Sequence, residues 1–139
     1  MTAITDLSAL AETILKNEEA ASAALDFEAE ALRNKINAID AQCRQAHRPD
    51  PAAFDRQRLG ADTLWVRHQA MQRAQAQSAL ATVRARQDIQ AQALAEAFGR
   101  HAALHDVQKQ EAKDARQRSL KSEAETVQAL TLLKSALGR

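Results

Sequence analysis

The stretch His47-Arg48-Pro49-Asp50-Pro51 decides the fold. Proline has no N–H, clashes with the preceding helical turn and pushes the residue before it out of the α region. A helix arriving from the N-terminal side must therefore stop near 46–48. Asp50 can cap a new helix, with Pro51 in the first helical position, where a missing N–H costs nothing. These are the only 2 prolines in 139 residues. The chain thus reads as one long helix, a turn, and a second long helix.

Composition supports that reading. Hydrophobic residues make up 45%, but 32 of them are alanine, and Leu, Ile, Val, Phe, Met and Trp together number only 30. That is too few for a thick globular core. Ala, Leu, Glu, Lys, Arg and Gln dominate, and these are the strongest helix formers. With only 3 glycines, the chain lacks the make-up of a disordered segment. Helix over more than three quarters of the chain and no strand are expected. The single Cys43 excludes an internal disulfide and suits a reducing compartment. Residues 1–15 lack the basic and continuous apolar regions of a signal peptide. No run of about 18 apolar residues occurs, so no integral membrane segment is expected. The expected location is the cytoplasm.

Outward from the break, apolar residues recur at three- and four-residue steps. On the N-terminal side they are Ile4, Leu7, Ala11 and Ile14, then Ala21, Leu25, Ala29, Leu32, Ile36, Ile39, Cys43 and Ala46. Glu18 interrupts the series, and Ala21–Leu25–Ala29 reads as a stutter in a heptad pattern. Thr2 or Thr5 can cap this helix. A helix from about 5 to 47 would be some 65 Å long and needs a partner along its length. On the C-terminal side, residues 48–60 read as the turn, with Gly60 weakening any helix there. A second helix is expected over about 61–118, lined inside by Leu64, Trp65, His68, Met71, Ala79, Leu80, Val83, Leu94, Ala97, Phe98, Leu104 and Val107.

A short turn makes the two helices antiparallel neighbours. The expected fold is all-α, an antiparallel two-helix coiled-coil hairpin in a single domain over 1–139, with a longer second helix and a C-terminal helical extension. With the reversal near residue 53, position 4 would lie opposite position 102. Residues 1–30 hold seven acids against Lys16, a balance of −6, so the remainder must carry +7 to give the net +1. The acids over 12–30 would face the region holding Arg84, Arg86 and Arg100. Beyond about 105 the second helix overhangs. There Leu120, Ala124, Val127, Leu130, Leu133 and Leu137 form a fresh stripe over 119–137 with no partner inside a hairpin. The stripe either folds back as a third helix or meets another protein.

Chemistry is sparse. His101 and His105 share the i, i+4 spacing of helical metal ligands, but the zincin pattern needs Glu where Ala102 stands. Cys43, His47 and His68 could approach one another across the turn, without any supporting ligand spacing. A solvated helix face outweighs a metal site in both places. No Gly-rich elbow, phosphate-cradling loop or cleft is evident, so no catalytic residue, no metal and no cofactor is expected, and the chain does not read as an enzyme. Lys109, Lys113, Arg116, Arg118 and Lys121 alternate with Glu111 and Asp114. That pattern suits a solvated face with i, i+4 ion pairs better than a nucleic-acid surface. Trp65, beside Leu64 and near His68, either staples the bend or anchors a docked partner.

The layout resembles the FliJ family, the coiled-coil stalk of the flagellar type III export ATPase. A chain near 140 residues, a first helix, a short polar break and a longer second helix with an Arg/Lys/Gln-rich tail carry the resemblance. Gly60-Ala61-Asp62-Thr63-Leu64-Trp65 and Ala97-Phe98-Gly99-Arg100 are similar to stretches in divergent alphaproteobacterial members. The resemblance implies a non-enzymatic stalk at the membrane export apparatus. Both chain ends would enter the export ATPase hexamer, and the bend would contact the export gate. Partner-binding residues would be Leu64, Trp65 and His68 at the bend, and Leu120, Val127, Leu130, Leu133 and Leu137 in the tail. The first helix is shorter than that plan. The alternative is a structural scaffold whose C-terminal stripe makes a homo-oligomer.

Overall fold

A computed structural model describes residues 3–48 and 60–138. Helix α1 spans Ala3–Ala46 and helix α2 spans Ala61–Leu137, 44 and 77 residues long. No strand occurs among the described residues. The two helices pack as an antiparallel hairpin with a longer second helix. The Pro-Asp-Pro stretch, the caps expected at Thr2 and Asp50, and most of the turn lie outside the described residues. Thr5 lies inside α1 and does not cap it.

The described helix ends follow from local chemistry. At the end of α1, the His47 N–H donates to the Cys43 carbonyl at 3.3 Å and the Arg48 N–H to the Gln45 carbonyl at 3.1 Å. These bonds satisfy carbonyls that a helix end leaves without partners. Gly60 stands just outside α2 with φ +69°, a conformation that costs glycine little. Its carbonyl accepts the first helical bond, from the Leu64 N–H at 3.3 Å. The glycine therefore precedes α2, which begins at Ala61. Residues 119–137 continue α2 without a break, so the extension expected as a separate segment neither folds back nor forms a third helix.

The chain divides into two compact units, 16–95 and 1–15 with 96–139. In the first unit, α1 presents Glu18, Ser22, Leu25, Ala29, Leu32, Ile36, Ile39 and Cys43 inward, a strict alternation of four- and three-residue steps. Ala29, Leu80 and Val83 form the fully enclosed centre, with Leu25, Leu32 and Ile36 packed against it. Alanine at the contact lets the helices approach closely. The stutter expected at Ala21–Leu25–Ala29 is absent, because Ser22 and not Ala21 faces α2. The discontinuity lies in α2, where Gln72, Ala76, Leu80 and Val83 include two successive four-residue steps. Such a step locally relaxes the supercoil.

The polar residues of this unit set its register. Arg73 donates from Nε to Asp40 Oδ1 at 2.8 Å, and Gln87 donates to Asp26 Oδ1 at 2.6 Å. Gln90 donates to both the carbonyl and the carboxylate of Glu18, and Arg86 lies 3.9 Å from Glu28. Exposed ion pairs of this kind contribute about 0–1 kcal/mol each, so they fix alignment more than stability. Asp40 opposite Arg73 places the pairing several residues further along α2 than a reversal at residue 53 allows. The acids of α1 thus meet glutamine amides as often as arginines. Arg100, expected opposite them, pairs with Glu96 of its own helix at 3.2 Å.

In the second unit, Ile4, Ser8, Ala11 and Leu15 of α1 face Ala97, His101, Leu104 and Gln108 of α2. Gln108 donates to the Ile4 carbonyl at 3.5 Å, so position 4 meets 108 and not 102. From residue 109 onward every described residue of α2 is exposed.

Candidate protein-interaction surface

Two apolar features of the second unit remain open to solvent. The first is a groove of about 380 Å³ lined by Leu7, Leu10, Ala11 and Ile14 of α1 and Ala97, Arg100, Ala103 and Leu104 of α2. Leu7 and Ile14, expected in the seam, line this groove instead. Ser8 and Leu15 hold the seam positions because the strict heptad running back from Ile39 selects them. The groove is an open trough with no buried polar side chain, so it offers a hydrophobic contact but no site for acid–base chemistry.

The second feature is the stripe on the overhang. Leu120, Val127, Leu130, Leu133 and Leu137 are all more than half exposed, from 57% at Leu120 to 84% at Leu137. Contiguous exposed apolar residues of this kind mark contact surfaces. The basic residues before the stripe are exposed, but the bonds that Asp114 makes there are not the expected ion pairs. Arg118 Nε donates to the Asp114 carbonyl at 3.3 Å, and Gln110 donates to Asp114 Oδ1 at 3.0 Å.

The residues expected at the bend separate by exposure. Trp65 is half-buried in the first turns of α2, whereas Leu64 and His68 are exposed. Leu64, Met71, Phe98 and Val107, expected inside, all point outward to a similar degree, as do Phe27 and Ile89. Every one of the four lies one helical step from a seam position. In an alanine-rich helix, hydrophobicity alone does not distinguish the inner residue from its neighbour.

The His101 and His105 rings stack with centroids 6.4 Å apart. His47 Nδ1 lies 2.6 Å from the Cys43 carbonyl oxygen. Among the described residues, no group of three or more His, Cys, Asp or Glu side chains could hold an ion. Nor is any described helix long and apolar enough to cross a membrane.

These features define a helical hairpin with an unpaired helical arm. No protein-family model, curated protein or solved structure matches the chain.

Proposed function

We propose that this chain is a non-enzymatic stalk of a flagellar protein-export ATPase, coupling the ATPase to the export gate through coiled-coil contacts in the cytoplasm. One observation supports the reading above others: α2 runs past its last cross-helix bond at Gln108 to Leu137 as unpaired helix with an apolar stripe. A coupling stalk needs such an arm, held stiff by a hairpin and free to touch ATPase subunits in turn. Its contacts act on the ATPase only if they favour one subunit conformation over another.

The test is a titration of the chain into the purified export ATPase, reading hydrolysis rate. Stimulation that saturates is expected. A rate unchanged at saturating chain would remove the stalk reading. Trp65→Ala separates the two ends. It should leave stimulation intact and weaken export-gate binding roughly thirtyfold, as for an interface Trp worth about 2 kcal/mol. Equal loss of both activities with a large fall in melting temperature would make Trp65 a staple.

A further inference from the structure

We propose that the overhanging arm of α2 is self-complementary, and that residues 120–137 of two copies pair antiparallel about a two-fold axis between Gln128 and Ala129. This stands on the arm's own residues and not on the stalk reading: a second copy seated on the stripe and an export ATPase would compete for it.

The arm has abandoned the hairpin's seam. The positions that continue it in heptad steps from Ala97 and Leu104 are Glu111, Arg118, Glu125 and Leu132, and those from His101 and Gln108 are Ala115, Ser122, Ala129 and Ala136. Leu132 alone among these eight is a large apolar residue, and it stands singly near the end of α2. The stripe instead occupies Leu120, Val127, Leu130 and Leu137, a different face of the same helix. A second partner, distinct from α1, is required to cover it.

The spacing identifies that partner as a second copy. With the axis between Gln128 and Ala129, Leu120 lies opposite Leu137 of the second copy, and Val127 lies opposite its Leu130. Ala124 falls beside its Leu133. The layer between the two apolar pairs sets Glu123 against Lys134 of the second copy. Two-fold symmetry repeats each pair, so one alignment gives four apolar layers and two ionic ones, all reciprocal. Within its own helix Glu123 accepts only a neutral bond, from Ser119 Oγ at 3.1 Å, which leaves its charge available.

Other alignments fail on charge. A parallel pair would oppose Glu123 to Glu123 and Lys134 to Lys134. Sliding the antiparallel pair by one heptad one way would set Glu123 against Val127 and Lys134 against Arg116, and the other way would bury Lys134 against Leu130. The ionic layers therefore select orientation and register, as polar seam residues do in coiled coils.

Sedimentation of the full-length chain over a range of concentrations tests the proposal. A reversible monomer–dimer equilibrium is expected. Glu123→Lys and Lys134→Glu should each weaken it about tenfold or more, because each sets like charges opposite one another twice. An equimolar mixture of the two variants should form a heterodimer at least as tight as the wild-type dimer, since every ionic layer is then complementary. Both side chains are exposed, so the hairpin of each variant should melt as the wild type does. A chain that stays monomeric at the highest soluble concentration would overturn the proposal. So would a dimer indifferent to either reversal, which would place the contact elsewhere, such as the Leu7–Leu10–Ile14 groove. A mixture that associates no better than the separate variants would overturn the antiparallel register.

Discussion

Val83→Asp is expected to lower the melting temperature by about 10 °C or more. Val83 is only 2% exposed and packs against Ala29, which is fully buried, and Leu80. The substitution removes apolar contact and places a carboxylate in the enclosed centre of the seam. An uncompensated buried charge commonly costs about 3–5 kcal/mol, and a chain of this length loses roughly 3 °C per kcal/mol. Ile36→Asp and Ile39→Asp should act in the same direction. Ile89→Asp is the control, because Ile89 is 70% exposed and a surface change is worth about 0.5 kcal/mol or less. Thermal unfolding followed by circular dichroism distinguishes the two sites. Equal melting of Val83→Asp and Ile89→Asp would mean the seam runs elsewhere.

The second large effect is expected from deleting residues 119–139. Among the described residues no cross-helix bond lies beyond Gln108, and every one of them from 109 onward is exposed. The shortened chain should therefore keep the melting temperature of the dilute full-length protein to within a few degrees. Under the stalk proposal, binding to an export ATPase should fall at least about a hundredfold, because the stripe contains five of the exposed large apolar side chains and interface energy concentrates in a few such residues. Calorimetric titration of both lengths measures the loss. Unfolding of the shortened chain would instead assign residues 119–137 to the intramolecular core.

The same contrast between seam and arm explains how far the fold is legible in the sequence. The proline pair separates the two helices, and Ala29, Leu32, Ile36, Ile39 and Cys43 are read correctly as the inner face. Toward the N-terminus the reading drifts, because Leu7, Ile14 and Ala21 look like better seam residues than Ser8, Glu18 and Ser22. Glu18 holds its place because Gln90 of α2 donates to it across the seam, and the unbroken four-and-three alternation back from Ile39 puts Ser22, Leu15 and Ser8 on the same face. An apolar count cannot register a polar residue whose partner lies on another helix. The offset between helices is illegible for a related reason. It depends on how many residues the connection consumes, and the bonds Asp40–Arg73 and Ile4–Gln108 set it only once both helices are formed. The overhanging stripe is legible in the sequence, since its leucines recur at helical spacing without a matching stripe to face them.

Amide hydrogen exchange of the chain alone and with the export ATPase tests the central claim most directly: that the hairpin seam carries the stability while the arm is held open for a partner. The protein is measured below the concentration at which copies associate. Amides around Ala29, Ile39, Val83 and Ala97 should exchange slowly in both samples, because only the opening of the packed seam exposes them. Amides of residues 119–137 should exchange fast in the isolated chain and become protected when the ATPase is added. Arm amides as slow as the seam in the isolated chain, or unchanged by saturating ATPase, would contradict the account.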